Sequence, residues 1–293
     1  MTIETNSPVT IDKELCVLCG ECVNMCLGKI LEDNETEIVV AKPLWCNQCG
    51  QCVAVCPVDA IMVGKEEPMP LNRKDLIVTP EQLQYLIRSR RSTRHYLSTP
   101  VPREALEQII NAGRYAPTGG NMQNISVTTV TDAKTIEMIK QKAADSLERR
   151  TSLWESLAEK NEKEGTPIPA EYKVRVETRD RYRNLLNLYN HQKKDVVLHN
   201  APVFIALHGD PNGVTAKDNA DLIAMNMMLM AETMGLGTCL IGFVFAAAAE
   251  DASLRQLLGV PEGHQILTDF VLGYPNVKFG KAPGRNPMKV TWI

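Results

Sequence analysis

Residues 203–207, Val-Phe-Ile-Ala-Leu, form the most continuous short apolar run in the chain and predict a strand buried on both faces. Downstream, residues 217–234 carry a helical pattern that is apolar on nearly all sides from 222 onward, with five methionines, which predicts a helix buried at the centre of a domain. Asn226, Glu232 and its modest length exclude a bilayer span. Strands are predicted at 125–130, where apolar and polar residues alternate, and at 266–272; residues 238–245 predict a strand or extended turn. A helix opens at Thr79, where Pro80 and Gln82 supply a first-turn proline and a capping-box partner, and ends near Arg90. A second spans 102–115 with Leu106, Ile109 and Ile110 on one face, stopped by Ala116-Pro117-Thr118-Gly119-Gly120. The polar stretch 133–195 reads as two helices around Gly165, Pro167 and Pro169, and 252–258 as another helix. Helices and strands without regular alternation predict an α+β domain.

Before residue 68 the pattern changes. Residues 11–63 read as two similar halves, each a cysteine loop, a short helix and a strand. The loops carry Cys16, Cys19, Cys22 and Cys26, then Cys46, Cys49, Cys52 and Cys56, the last followed by Pro57. Thiolates two residues apart on a tight loop can converge on three corners of one cube, and Gly20 and Gly50 stand at matching places where backbone must approach inorganic sulfide. A zinc ion would use two pairs and leave the other cysteines idle. Disulfides are weaker still, because no apolar segment with a basic flank opens the chain, which predicts a reducing, cytoplasmic setting. The spacing resembles that by which bacterial ferredoxins hold [4Fe-4S] cubanes. That resemblance implies that Cys16, Cys19, Cys22 and Cys56 hold one cluster and Cys46, Cys49, Cys52 and Cys26 the other. Leu27 and Gly28 replace the proline expected after Cys26.

At 293 residues the chain suits a small cluster domain and one larger core. We expect a ferredoxin-like domain at 1–68, a linker at 69–78 within the charged, proline-bearing stretch that begins near Lys65, and a second domain at 79–293. The net charge is -3, but the front is acidic, with eleven Asp and Glu against four Lys and Arg through Pro68, while the remainder carries 28 Lys and Arg against 24 acids. No concentrated basic face points to nucleic acid. A basic rear domain fits an anionic ligand.

Arg90, Arg91, Ser92, Thr93 and Arg94 follow the first helix. Single cations favour a helix C-terminus, but three guanidinium forks with an interleaved hydroxyl suit a phosphate. The run continues to His95 and Tyr96; further on come Ala116-Pro117 with Asn121 and Gln123, Gly235-Leu-Gly-Thr-Cys239 leading to Ile241 and Gly242, Val260-Pro-Glu262, Leu272-Gly-Tyr-Pro275, and Arg285. From about Thr79 onward this order resembles the FMN-dependent nitroreductase family, and the whole chain resembles ferredoxin-nitroreductase fusions. The family commonly places proline and an aromatic after Asn-x-Gln, where this chain has Asn124 and Ile125.

The resemblance implies an α+β sandwich that forms a homodimer through long helices, with the helix at 222–234 at the subunit interface. It also implies that Arg90, Arg91, Ser92, Arg94 and Arg285 hold the FMN phosphate and ribityl chain, with Lys281 a weaker candidate. Asn121 and Gln123 would meet the flavin's polar atoms. Leu240, Ile241 and Gly242 would line the ring, a backbone N–H near Gly242 facing N5. The expected function is transfer of electrons through two [4Fe-4S] clusters to FMN and on to a small-molecule acceptor, nitroaromatic or otherwise unsaturated. Ferredoxin or NAD(P)H would be the donor, since no strand followed by Gly-x-Gly-x-x-Gly marks a dinucleotide domain. Reduction of quinones or activated C=C bonds, or electron delivery to a protein partner, are the alternatives. No catalytic side chain is named. Cys239 reads as a buried small residue. His95, His191, His199, His208 and His264 lack metal-like spacing. Tyr115, Trp154, Tyr172, Tyr182 and Tyr189 are candidates to line a substrate pocket or simply to pack.

Overall fold

A computed structural model describes residues 7–65, 67–75 and 77–293. The chain divides into two units: one runs to Val78 and takes in Thr118–Met122, and the other comprises Thr79–Pro117 and Gln123–Ile293.

The first unit is built as a repeat. Strand β1 (Val9–Ile11), helix α1 (Glu21–Met25) and the hairpin β2 (Leu31–Asp33) and β3 (Ile38–Val40) precede α2 (Gln51–Val55) and β4 (Ile61–Val63). β1 pairs antiparallel with β4, Val9 opposite Val63, and β2 with β3, Leu31 opposite Val40. Three pairs of residues at equivalent places in the halves, Leu18 and Gln48, Gly20 and Gly50, Lys29 and Asp59, all have positive φ. The duplicated cysteine spacing therefore reflects a duplicated backbone path. Strands β1 and β3 fall outside the cysteine loop, helix and strand pattern expected for each half. They are three residues each, too short for periodicity to reveal.

The second unit is a four-stranded antiparallel sheet between two helical layers. Its strands are β5 (Ser126–Val130), β6 (Val203–Gly209), β7 (Gly237–Leu240) and β8 (Gln265–Gly273), in the order β5-β6-β8-β7. Every residue of β6 and all but the first of β8 are buried, because both strands are covered on both faces. On one face pack α4 (Arg103–Arg114) and α8 (Ala216–Thr233), through Leu106, Ile109, Ala220, Ala224 and Met227. On the other lie α5 (Ala133–Glu164), α9 (Gly242–Glu250) and α10 (Ala252–Leu257), through Ile139, Ala143, Val244, Ala247 and Leu254. Helix α3 (Pro80–Ser89) begins with the expected capping box: Thr79 Oγ1 accepts from the Gln82 N–H, and Gln82 Oε1 from the Thr79 N–H.

Three expectations are corrected. Residues 242–245 are helical, because β7 stops at Leu240 and the alanine-rich stretch that follows favours helix. Helix α8 is not surrounded: its buried residues, Ala216, Ala220, Ala224, Met227 and Ala231 among them, form one stripe, and Leu222 on another side is 46% exposed. The stretch after Gly165 is not one helix but α6 (Lys173–Glu177) and α7 (Arg179–Gln192), broken at Thr178, whose hydroxyl bonds back to the Val174 carbonyl at 2.8 Å. Among the described residues no helix is long and apolar enough to cross a membrane.

Candidate cluster and cofactor sites

In the first unit Cys16, Cys22, Cys26, Cys46, Cys52 and Cys56 pack on a small apolar core of Val9, Ile30, Leu31, Ile38 and Ile61, while Cys19 and Cys49 are exposed. Cys16, Cys19, Cys22 and Cys56 line one cavity together with Ile11, Ile38 and Ile61, so the fourth cysteine of the second loop does cross to the first. Cys46 and Cys49 both lie near enough to Cys52 to act on its thiol, and Cys26 packs against the same core. Among the described residues no three His, Cys, Asp or Glu side chains meet around a point where one ion could sit; the four cysteines stand around a space, as ligands at the corners of a cube must. The helices α1 and α2 start at Gly20 and Gly50 in the left-handed conformation, φ 74° and 73°, a turn that side chains resist. A Cβ at either glycine would meet nothing within 4 Å, so backbone conformation, rather than close approach within the protein, explains these glycines. The Gln48 and Ala60 N–H groups donate to the Sγ atoms of Cys46 (3.4 Å) and Cys56 (3.2 Å), the kind of bond that tunes a thiolate ligand. Burial pushes the Cys52 thiol up to about 11 and raises Cys22, so metal binding there must displace protons.

The second unit brings the arginine run onto β7. Ser92 bridges to Thr238, and the Thr93 N–H donates to the Thr238 carbonyl at 2.9 Å. Arg90, Ser92 and Arg94 all act on the Cys239 thiol, which burial raises and these three groups lower. They thereby stand beside the strip Leu240, Ile241 and Gly242. The approach depends on Gly237, where a Cβ would lie 2.5 Å from Thr93 Oγ1. Arg91 turns elsewhere, into a second cavity that it lines with Lys281 and Phe279. Arg285 lies in the irregular, exposed segment that ends the chain. Asn121 belongs with the first unit, its side-chain amide donating to the carbonyls of Asn47 (3.1 Å) and Gln48 (2.9 Å). Both Asn121 and Gln123 have positive φ.

Two buried donors in this region, Arg90 Nε and Thr238 Oγ1, have no hydrogen-bond partner, and neither has the Tyr96 hydroxyl. An orphaned donor inside a protein is costly, so Arg90 Nε, on the side of β7 where Ser92 and Arg94 meet Cys239, marks a place where an oxyanion fits. Thr238 alternates to the opposite face of the strand, opposite Leu272, and stands apart from that group.

Residues 87–274 match the nitroreductase family model. The chain belongs to the nitroreductase family. Residues 8–57 match the 4Fe-4S dicluster domain. Over 60 residues this segment is 45% identical to an uncharacterized ferredoxin of Methanocaldococcus jannaschii, covering 20% of this chain and 97% of the relative. The nitroreductase fold is shared with two FMN-bound nitroreductases, from Bacteroides fragilis and from Desulfitobacterium hafniense. The first superimposes with a TM-score of 0.52 at 21% identity over 72% of this chain and 98% of that one. The second gives 0.52 at 20% identity over 72% and 97%.

Within this nitroreductase fold, the start of α9 opens on a cavity of about 270 Å³ bordered by Gly242, Phe243, Trp154 and Tyr182. A Cβ at Gly242 would meet nothing within 4 Å, so the space before it is open. Beneath the same turn lies Asp269 of β8, whose backbone carbonyl accepts from the Ile241 N–H at 3.2 Å. Its carboxyl is enclosed and neither oxygen has a partner in hydrogen-bonding geometry. Burial drives its pKa well above the carboxylate range, against the pull of the Ile241 and Phe245 N–H groups. His208 and His264 meet, Nδ1 to Nδ1 at 3.1 Å, with His208 also 3.3 Å from Thr128 Oγ1. Burial, then the neighbouring His264, lowers the His208 pKa and favours its uncharged form.

Proposed function

We propose that this nitroreductase-family protein carries electrons through two [4Fe-4S] clusters to FMN and reduces a small organic acceptor, nitroaromatic or otherwise unsaturated. FMN, when bound, supplies two-electron chemistry, which one-electron clusters cannot supply singly. The observation that carries the reading is the convergence of Arg90, Ser92 and Arg94 around Cys239 of β7, with the buried Arg90 Nε lacking a partner. Arg90, Ser92 and Arg94 would hold the phosphate by charge-assisted bonds. The exposed end of the strip leaves the Gly242 N–H, the first of α9, free to donate to a ring nitrogen. Arg91, Lys281, Arg285, Asn121 and Gln123 remain proposed contacts on the family resemblance.

In the front unit the eight cysteines act as ligands in the crossed sets, a proposal supported by Cys56 joining Cys16, Cys19 and Cys22 around one cavity. An open space before Gly242 favours an enzyme over a pure electron carrier, because a carrier needs no pocket at that strip. A homodimer is supported by α3, which buries none of its residues and exposes Leu83, Tyr85 and Ile87, and by the exposed Leu222 on α8. Either reduced ferredoxin or NAD(P)H serves as donor, and the nine free cysteines suit a cytoplasmic setting. Anaerobically purified protein should contain iron, sulfide and FMN and reduce some acceptors much faster than others. Equal rates across a panel of nitroaromatics, quinones and enones would return the protein to the class of carriers.

A further inference from the structure

The arginines around the break between α6 and α7 are sorted by partner. Arg179 lies 3.6 Å from Glu162, and Arg183 holds Glu148 at 2.6 Å and Glu155 at 2.7 Å. Arg175 and Arg181, on the same short stretch, have no carboxylate partner among the described residues, and these are the two that line the cavity before Gly242. Arg150 lines the cavity as well; its carboxylate neighbour, Glu250 at 3.7 Å, does not, and no acidic side chain forms the wall.

The remaining wall is aromatic and apolar. Trp154 is buried, and its ring meets Tyr182 with centroids 5.0 Å apart at 57°. Arg150 stacks 5.8 Å from the Trp154 ring, and Arg175 lies 5.6 Å from that of Tyr182 and donates to its hydroxyl. Leu147, Leu185 and Phe243 complete the lining. At about 270 Å³ the space is close to the smaller ligand sites of proteins, about 300 Å³. Guanidinium groups against low-dielectric aromatic walls favour a negative charge, and flat walls favour a flat ring.

We propose that this cavity is the acceptor site and that it selects a planar aromatic acid, with the ring between Trp154 and Phe243 and the carboxylate on Arg175 and Arg181. The inference rests on the functional reading above, which brings the reducing cofactor to Gly242. The preference for an anion is carried by the cavity alone.

The test uses the purified full-length protein with 4-nitrobenzoate, nitrobenzene and 4-nitrobenzylamine, measured by equilibrium dialysis and, with dithionite as electron source, by kcat/KM. The anion should bind at least about ten-fold more tightly than the neutral compound, and the cation least well, the value of one hydrogen bond to a charged group at a partly exposed site. Arg181→Gln and Arg175→Gln should each remove most of that preference, and Arg179→Gln, outside the cavity, should leave it intact. The preference should shrink with added salt. Equal binding of anion and neutral compound, or an anion preference untouched by Arg181→Gln, overturns the proposal. Dialysis reads binding without turnover, so a protein that prefers the anion yet contains no flavin would refute the functional reading and the acceptor role with it, and spare the planar-anion site.

Discussion

Replacing Gly237 by alanine strikes the contact that assembles the cofactor site. The new Cβ would lie 2.5 Å from Thr93 Oγ1, 2.7 Å from its Cβ and 2.8 Å from its Cγ2. A rotamer change moves the branches but not Cβ, which is about 0.7 Å short of the 3.4 Å where ordinary contact begins, so the backbone at Thr93 must retreat from β7. Thr93 is buried, and its N–H donates to Thr238 at 2.9 Å, so retreat strains a packed interior and weakens that bond. Overpacking of this kind costs about 1–3 kcal/mol and the loosened hydrogen bond about 1 kcal/mol. A total near 2–4 kcal/mol lowers the melting temperature of a domain this size by about 4–16 °C. The same shift carries Ser92 and its flanking arginines away from Thr238. Loss of one charge-assisted bond then weakens FMN binding about ten-fold. Thermal melting by circular dichroism and FMN titration of flavin-stripped protein measure the two effects. The double variant Thr93→Gly with Gly237→Ala removes every clashing atom and should recover flavin binding. A Gly237→Ala protein with normal melting and normal flavin affinity would refute the reasoning.

Other perturbations follow from the same structure. Asp269→Asn replaces an enclosed carboxyl whose folded pKa is raised; such a group costs stability as pH rises from its unfolded pKa to its folded one, by about 1.4 kcal/mol per pH unit. The variant should therefore melt above the parent at pH 8 and converge with it near pH 4, and a pH-independent difference would contradict the assignment. Asp251 accepts from the Ser253 hydroxyl at 2.6 Å, meets Lys142 at 3.2 Å and accepts from the Leu254 and Ser253 N–H groups at the start of α10, contacts that hold its pKa down to about 2. Asp251→Ala should cost about 1 kcal/mol in melting or denaturant unfolding at neutral pH, and the difference should fade as pH drops from about 4 through 2, because the depressed pKa stabilises only above the unfolded value. Cys56→Ser and Cys16→Ser should each abolish the same electron paramagnetic resonance signal, while Cys26→Ser and Cys49→Ser abolish the other; a shared loss between Cys16 and Cys26 would mean uncrossed ligation.

Much of this arrangement was legible before any coordinates, and for identifiable reasons. Buried strands such as β6 and β8 leave continuous apolar runs, and Thr79 with Gln82 spells out its cap in the local sequence. The crossed cysteine set was legible only through resemblance, since spacing fixes each loop but not which loop Cys56 reaches. Helix α9 was misread because Leu240 to Phe245 is apolar throughout, and a short apolar run does not distinguish strand from helix. The apolar pattern of the methionine-rich α8 alone suggests a central helix, because hydropathy cannot tell a surrounded helix from one with an apolar outer face; the resemblance favours a subunit interface instead. The sorting of Arg175 and Arg181 from Arg179 and Arg183 had no sequence signal, because it depends on glutamates of α5 that only tertiary packing brings near.

The central claim is that electrons reach the flavin through the clusters. It is tested most directly by rapid mixing of a reduced one-electron donor, such as methyl viologen, with the intact protein and with a Cys19→Ser, Cys49→Ser variant that retains FMN. The account predicts cluster bleaching before flavin bleaching in the intact protein, and flavin reduction at least ten-fold slower in the variant. Flavin reduction at the same rate in both, with or without intact clusters, would contradict it.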